Sequence, residues 1–403
     1  MTRPWETPAA HPDASGKGPP RIDMRYLRAV LERLLAVPSP TGYTDEAVRL
    51  CCEMLSELGV PYELTRRGAI RARMAGSAAQ PARAIIAHID TLGAQVKAIQ
   101  PNGRLSVVPV GHWSSRFAEG ARCTVLTRTG GAHRGTILPL KASGHTYGAE
   151  IDTQPVDWQQ VEIRVDIDMR DGSRPEDHGI AIGDHVAIDP QPEFLENGFV
   201  VSRHLDDKAG VAAMLAAIKA LQQGGAALPV DTFFLVSISE EVGSGASAVL
   251  HGDIASLVAI DNGTVAPGQS SAEFGVTIAM ADSTGPFDYH LTNKLIDLCE
   301  EHGIRHQRDV FRYYRCDSAS ALEAGNDIRT ALVTFGVDAS HGYERTHEHA
   351  LESVAQLVAL YATSDVKIVR DKEDLSPLTG FTRQPIDVAD DEQPRGAAAG
   401  KGS

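Results

Sequence analysis

The sequence predicts an α/β fold in which a mixed, largely parallel sheet is sandwiched by helices and is interrupted by a β-barrel-like domain. Amphipathic helical segments alternate with short apolar, β-rich runs in residues 21–93 and again in residues 199–365, as in layered α/β domains. Over residues 94–198 helical periodicity fades, and short β-like runs alternate with Gly, Pro and Asn turns, which is typical of a small barrel or sandwich. We therefore expect one discontinuous α/β domain, 21–93 with 199–365, and an inserted β-rich domain over 94–198.

Turn and capping residues give the order of the elements. Asp23 is placed to cap a first helix that Pro38-Ser39-Pro40 ends, and a second helix runs from near Thr44 to Gly59. Later helices are predicted over 210–221, 290–301 and 351–361, and strands of the α/β domain over 69–74, 83–87, 231–236, 257–260, 276–280 and 330–335. Within the insertion, strands are predicted over 105–110, 122–127, 135–140, 161–167 and 185–188.

Composition limits the class of protein. The 403 residues are 42% hydrophobic and 23% charged, which is ordinary for a globular chain. The formal net charge of −15 argues against a nucleic-acid partner, and no apolar run is long enough to span a membrane. Met1 to Pro20 lacks the pattern of a signal peptide, and the five cysteines lack framework spacing, so we expect a cytoplasmic protein with reduced thiols. Residues 1–20 and 366–403 are predicted to be disordered tails.

Ionisable side chains gather where the predicted strands end. Six of them lie at or just past the end of an apolar run, at the start of a helix, or in the loop after the last strand: His88, Asp206, Glu240, Glu241, Asp261 and His347. Ligands of open α/β sheets bind in the crevice outside these strand ends. So many carboxylates do not suit one structural zinc, which prefers Cys and His. They suit two divalent metal ions about 3.5–4 Å apart that share one bridging carboxylate.

The adjacent glutamates Glu240 and Glu241 are predicted to have different roles. Two carboxylates in one cleft repel each other unless a metal ion or a proton relieves one of them. Because side chains alternate along a strand, the turn Val242-Gly243-Ser244-Gly245 is needed to direct both glutamates to one site. One glutamate can then bind metal while the other acts as a general base.

Five motifs follow one another along the chain. They are His88-Ile89-Asp90-Thr91-Leu92-Gly93, Leu205-Asp206-Asp207-Lys208-Ala209-Gly210, Glu240-Glu241-Val242-Gly243, Ala259-Ile260-Asp261 and Glu344-Arg345-Thr346-His347. Together they resemble the glutamyl/deblocking aminopeptidases, which are two-metal cytosolic peptidases often built as tetrahedral dodecamers. The resemblance covers about residues 24–362 and includes an opening loop, Pro38-Ser39-Pro40-Thr41-Gly42-Tyr43. It implies a zinc-peptidase-like fold whose inserted domain mediates oligomer contacts.

The resemblance also implies roles for individual residues. The implied metal ligands are His88 and Asp261 for one ion, Glu241 and His347 for the other, and Asp206 as the bridge. Asp90 would hold the His88 imidazole, and Glu240 would be the general base. The implied cofactors are two divalent metal ions per subunit, zinc or cobalt foremost and manganese as an option. The implied partners are a peptide or small dipeptide substrate and further copies of the chain, from a dimer up to a dodecamer.

Two stretches depart from the family pattern. Gly68-Ala69 stands where a Gly-Asn pair is usual, and the stretch from His341 to His349 differs from the usual Arg-Tyr-x-His-Ser. Three histidines therefore compete for the last metal position. An arginine two residues before His347 keeps the family spacing and favours that residue, with His341 and His349 as alternatives.

A narrower resemblance concerns the substrate. Segments 65–71, 311–318 and 338–343 are similar to a bacterial subgroup associated with the osmoprotectant N-acetylglutaminylglutamine amide. The substrate would then be a small blocked dipeptide. Arg312, Tyr314 and Arg315 are candidates for lining its pocket, although a structural role for this polar segment is an equal alternative.

Other classes of function fit less well. The segment Gly243 to Ala248 follows a strand as a dinucleotide-binding loop does, but Glu240 and Glu241 would crowd a pyrophosphate with negative charge. A non-catalytic scaffold should have lost at least one ligand, and the set is intact. The alternative among enzymes is a related two-metal amidohydrolase, a carboxypeptidase or an N-deacylase. The sequence thus predicts a two-metal aminopeptidase.

Overall fold

The structure is a computed structural model that describes residues 18–225, 227–366, 378 and 381–385. Most of the two predicted tails, 1–20 and 366–403, lies outside these residues. Within the described part of the chain, the strands form a 12-stranded mixed sheet and a closed six-stranded antiparallel barrel. The predicted fold class is therefore confirmed. The division of the chain at residues 94 and 198 stays a prediction.

The strands follow the chain as three groups. The first group is β1 Tyr62–Leu64, β2 Ile70–Met74 and β3 Ala78–His88. The barrel follows, with β4 Gly93–Ile99, β5 Leu105–Val110, β6 Arg122–Leu126, β7 Ala132–Pro139, β8 Val161–Val165 and β9 His185–Ile188. The last group is β10 Glu193–Phe194, β11 Phe199–Ser202, β12 Val230–Ser237, β13 Ile254–Val265, β14 Val276–Asp282, β15 Gly285–Pro286, β16 His306–Val310, β17 Arg329–Asp338 and β18 Glu344–His347.

The main sheet is parallel at its centre and antiparallel towards its edges. Its order is β1-β2-β12-β3-β13-β17-β18-β11-β10, and β14 joins it beside β17. The neighbours β12, β3, β13 and β17 are parallel. Their buried Val, Ile, Leu and Ala side chains form nearly continuous apolar runs, as expected of strands covered on both faces. The carboxyl ends of these parallel strands therefore meet along one edge of the sheet.

The helices are α1 Met24–Leu35, α2 Asp45–Glu57, α3 Gly144–Tyr147, α4 Leu205–Gly224, α5 Tyr289–His302, α6 Asp317–Glu323 and α7 Glu348–Thr363. Asp23 caps α1 as predicted, and its carboxylate accepts the Tyr26 amide at 3.1 Å. The Ala-rich helix α4 packs between α1 and α7 and lies against β3 and β13. Its small side chains allow this close approach, and the resulting core is separate from a smaller core inside the barrel.

Seven of the 18 strands in the described residues were not predicted, among them β4 and β18. The strand β4, which closes the barrel between β5 and β9, follows directly from the motif that begins at His88. The strand β18 is a run of charged and polar residues, Glu344 to His347, and pairs with β11 over its whole length. From Ala94 to Ala98, β4 alternates apolar and polar residues, a strand signal that was overlooked. In contrast, β18 carries no apolar alternation, so only its tertiary partners identify it as a strand. Among the described residues, no helix is long and apolar enough to cross a membrane.

Candidate metal centre

Two groups of potential metal ligands lie at the carboxyl edge of the central strands. His88, Glu240 and Asp261 form one group, and Asp206, Glu241 and His341 form the other. Within each group the ligand atoms lie within 4.8 Å of one another. They come from the end of β3, the turn after β12, the middle of β13, the first residues of α4 and the loop between β17 and β18.

Asp206 joins the two groups. Its Oδ1 atom lies 3.0 Å from His88 Nε2, and its Oδ2 atom lies 3.3 Å from His341 Nε2. The Asn262 amide also donates to Oδ2, at 2.6 Å. Burial opposes ionisation, but the hydrogen bonds from His341 and His88 hold the pKa of Asp206 below its usual value. Asp206 therefore presents an ionised carboxylate with one oxygen towards each group.

Asp90 holds several residues of this centre in place. His88 Nδ1 donates to the Asp90 carbonyl at 3.0 Å, which turns Nε2 of His88 towards the potential ligands. The fully buried Asp90 carboxylate accepts the Thr41 hydroxyl at 2.6 Å and the backbone amides of Glu240 and Glu241 at 3.1 and 3.4 Å. Asp90 thus orients a histidine through its backbone carbonyl and fixes the start of the glutamate turn through its side chain.

Asp90→Asn is expected to weaken metal binding by about 10- to 100-fold, the usual effect of changing a group that orients metal ligands. An amide placed there has one acceptor oxygen in place of two, so at least one of the Thr41, Glu240 and Glu241 donors loses its partner. Metal titration monitored by calorimetry measures the change, with Asp231→Asn, a buried carboxylate bonded to Arg73 away from the site, as the control. Unchanged metal affinity in Asp90→Asn would contradict this role.

The turn after β12 brings both glutamates to the centre. The Gly243 amide closes it on the Glu240 carbonyl at 2.6 Å, and Gly243 has a φ of +79°, which glycine adopts without strain. Burial and then the Asp261 carboxylate raise the pKa of Glu240 well above its usual value. Burial and then Asp206 do the same for Glu241, whose Oε1 atom is buried without a hydrogen-bond partner.

These residues fit bound divalent cations. Burial and the neighbouring Asp206 carboxylate raise the pKa of Asp261 to about 8. Repulsion among several buried carboxylates, together with the unpaired Glu241 oxygen, identifies a place where positive charge would stabilise the fold. Oxygen and imidazole donors in this mixture suit zinc, cobalt or manganese.

Metal removal is expected to make the stability of the protein fall as pH rises. In the metal-free chain the Asp261 pKa of about 8 exceeds its ordinary value of 3.8. Between these values the folded chain holds a proton that the unfolded chain has released, so each pH unit lowers the free energy of unfolding by about 1.4 kcal/mol. Glu240 and Glu241, whose pKa values are also raised, act in the same direction. Thermal unfolding of chelator-treated and metal-loaded protein between about pH 5 and pH 8 tests this, and metal-free protein that gains stability with pH would contradict it.

Of the three candidate histidines, the structure places His341 with the other predicted ligands and His347 outside the two groups. His341 Nδ1 donates to the His112 carbonyl at 2.9 Å, leaving Nε2 towards Asp206 and Glu241. Although burial opposes it, the hydrogen bond to Asp206 raises the pKa of His341 to about 10. His341 has a φ of +64°, a left-handed conformation that costs a residue with a side chain about 1–3 kcal/mol.

His347 has a structural environment instead. Its Nε2 atom bonds the Asn197 carbonyl at 2.9 Å, and its ring packs 4.9 Å from Phe199 and 4.5 Å from Phe274. The pairing of β18 with β11 holds it there. His349, the other alternative, lies next to His347 with ring centroids 4.9 Å apart and is exposed. Neither belongs to the two groups of potential ligands.

Two residues that contact the centre were not singled out from the sequence. Asn262 follows Asp261 and bonds Asp206, and Thr41 of the opening loop bonds Asp90. Tyr314, already a pocket candidate from the sequence, has a buried hydroxyl beside Asp261. For Asn262 and Thr41, the position within a strand-end motif and within the opening loop was the available signal.

Comparison with known proteins gives the family. Residues 68–357 match the profile of M42 glutamyl aminopeptidase. The Bacillus subtilis (strain 168) protein YhfE, whose name describes a presumed aminopeptidase, is 36% identical over 341 residues, which are 85% of this chain and 98% of that protein.

Solved structures share the fold. The aminopeptidase APDkam598 from the archaeon Desulfurococcus kamchatkensis is similar with a TM-score of 0.75 and 21% identity, over 84% of this chain and 95% of that one. The Pyrococcus horikoshii TET1 peptidase, which can assemble into a tetrahedron or a large octahedral shell, is similar with a TM-score of 0.72 and 23% identity, over 83% and 99%. The matched profile and the Bacillus relative show that the chain belongs to the M42 glutamyl aminopeptidase family and is a metallo-aminopeptidase.

Proposed function

We propose that the chain is a two-metal aminopeptidase that removes the N-terminal residue of peptides or small dipeptides. The proposed ligands are His88 and Asp261 for one ion, Glu241 and His341 for the other, and Asp206 between them. The observation that supports this assignment is the position of Asp206, whose two oxygens face the histidines of the two groups separately. A carboxylate in that position is what a bridged pair of metal ions requires.

Glu240 is the proposed general base. Metal held by the proposed ligands would supply activation of the scissile carbonyl and of the attacking water. The Glu240 carboxylate would accept a proton from that water and return it to the leaving amine. Its backbone amide is held by Asp90, and its carboxylate lies 3.8 Å from His88 Nε2, at the margin of the centre. A carboxylate whose pKa is raised by burial is a stronger base than an exposed one.

The end of the substrate that must be free separates an aminopeptidase from a carboxypeptidase or an N-deacylase. Wild-type protein loaded with zinc, cobalt or manganese is assayed on dipeptides with free or N-acetylated amines and with free or amidated carboxyl ends. Two metals per chain, together with hydrolysis that requires a free amine, supports the aminopeptidase. Hydrolysis that requires a free carboxylate supports a carboxypeptidase, and release of acetate supports a deacylase. Absence of bound metal would overturn the proposal.

The osmoprotectant resemblance narrows the substrate to a small blocked dipeptide. The segment 311–316 adjoins the metal centre, because the Tyr314 hydroxyl lies beside Asp261. Arg312 is exposed, and Arg315 forms an ion pair with Glu323 at 2.9 Å. The assay uses glutaminylglutamine amide, acetylated and free. If neither is hydrolysed while ordinary aminoacyl substrates are hydrolysed rapidly, this narrower assignment fails.

We assign the barrel a role in assembly and the protein a cytoplasmic location. The similar Pyrococcus horikoshii peptidase can form a tetrahedron or an octahedral shell, which supports oligomers of this chain between a dimer and a dodecamer. All five cysteines are buried and form no disulfide, which is in keeping with a reducing compartment. Light scattering after size-exclusion chromatography gives the number of subunits, and a monomer would contradict the assembly.

A further inference from the structure

The carboxylate of Glu344 is buried at the start of β18 and lies next to the metal centre. The residue is 1% exposed, and no Lys or Arg of the described chain forms an ion pair with it. Its two oxygens accept two backbone amides instead. Oε2 accepts the Asp206 N–H at 3.1 Å, and Oε1 accepts the His341 N–H at 2.9 Å. One carboxylate therefore bonds the backbone of two of the proposed metal ligands.

These two ligands come from distant parts of the chain. Asp206 begins α4, whereas His341 lies in the loop between β17 and β18. His341 is held in the left-handed region with a φ of +64°, so its backbone needs partners that keep it there. Glu344 is one such partner, because one of its oxygens accepts the His341 N–H. Its other oxygen accepts the N–H of Asp206, the proposed bridging ligand.

We infer that Glu344 is a positioning residue that fixes the distance between Asp206 and His341 and so determines the affinity of the second metal ion. The inference rests on the proposed two-metal function. Glu344 acts through the backbone of the ligands and not on substrate. A buried carboxylate without a cationic partner is destabilising by itself, whereas its negative charge would be favourable beside two metal ions. This explains why a charged residue is found at a buried position that only needs to accept two N–H groups.

Replacement by glutamine gives the sharpest test. Glu344→Gln keeps the length of the side chain, but its amide has only one acceptor oxygen. Its NH2 group therefore faces the N–H of either Asp206 or His341, and that hydrogen bond is lost. Glu344→Asp keeps the charge but is one methylene shorter and cannot span both amides. The control is Asp317→Asn, a buried carboxylate that accepts the Ser237 hydroxyl at 2.6 Å and the Ala246 amide at 2.7 Å, and neither donor is a proposed ligand.

The measurement is cobalt titration of metal-free protein, followed by calorimetry, by the visible cobalt spectrum and by the rise in Tm that metal produces. We expect the second cobalt ion to bind about 10- to 100-fold more weakly in Glu344→Gln, with a smaller loss in Glu344→Asp. The metal-induced rise in Tm should shrink with it. Asp317→Asn should have a lower Tm with and without metal while its cobalt affinity stays as in wild type.

A purely structural role for Glu344 predicts a different result, in which Tm falls equally with and without metal and both cobalt affinities remain. That result in Glu344→Gln overturns the inference, and Glu344→Asp decides it in the same way if the glutamine variant does not fold. Wild-type protein that binds fewer than two cobalt ions overturns the proposed two-metal function itself. The two failures are distinguishable because only the second is visible without any substitution.

Discussion

Glu240→Gln is expected to bind two metal ions as wild type does and to hydrolyse its best substrate about 10²- to 10⁴-fold more slowly, the range for loss of a general base. The carboxamide has nearly the same shape but cannot accept a proton from water. The Asp90 carboxylate bonds the backbone amide of this residue and not its side chain, so the turn should be retained. Metal content by mass spectrometry and kcat from initial rates measure the two effects in one preparation.

The adjacent residue provides the matched control. Glu241→Gln makes the same chemical change one position along, at a carboxylate with one oxygen buried and unpaired. It should lose metal as well as activity, because Glu241 is a proposed ligand. Glu323→Gln, a surface substitution, should change neither. Loss of metal in Glu240→Gln would instead make Glu240 a ligand, which its place beside His88 and Asp261 allows. Retention of more than a tenth of the wild-type rate would remove it from catalysis.

His341→Ala is expected to bind one metal ion in place of two and to lose about 10³-fold in kcat/KM. Two-metal catalysis stabilises both the attacking and the leaving atoms, and losing one ion removes several kcal/mol of transition-state stabilisation. Among the described residues, only His88 and His341 direct their Nε2 atoms towards the Asp206 carboxylate. Metal content and steady-state kinetics of the variant measure both effects.

His347→Ala is the control for this assignment. Its ring bonds Asn197 and packs between Phe199 and Phe274, so removing it should lower the free energy of unfolding by about 1–3 kcal/mol, as for other buried truncations. Both metal ions and most activity should remain. If His347→Ala loses a metal ion and His341→Ala keeps both, then His347 is the ligand, as its spacing from Arg345 predicted.

Most of the fold could be predicted because each layer has its own periodicity. The parallel strands around β3 and β13 are apolar on both faces, and the apolar residues of α1 and α2 recur at helical spacing. The end of β13 was less clear from the sequence. The strand was expected to stop at Asp261 but continues to Val265, because β17 runs beside it as far as Asp338. When the neighbouring strand is unknown, a polar residue such as Asp261 inside a central strand is easily taken for the end of that strand.

The histidine of the second group could not be chosen from the sequence for a related reason. The loop from Asp338 to His341 contains two left-handed residues, Ala339 at a φ of +60° and His341 at +64°. Sequence spacing assumes a regular path, and these two residues reverse the chain so that an earlier histidine enters the centre. The later histidine, His347, is then placed by β18, a strand without an apolar pattern. Asp90, in contrast, follows β3 directly and was found with its strand.

The hydrogen bond from His341 to the His112 carbonyl has a consequence for the inserted domain. His112 lies just after β5, so the bond runs from the barrel to the metal centre. Since a carbonyl can only accept, the imidazole keeps a proton on Nδ1, and Nε2 is the nitrogen left to bind a metal ion. The barrel thus fixes which nitrogen of His341 carries a proton when a metal ion occupies the other. Without the barrel, the Nδ1 atom of His341 would lose the carbonyl that accepts its proton.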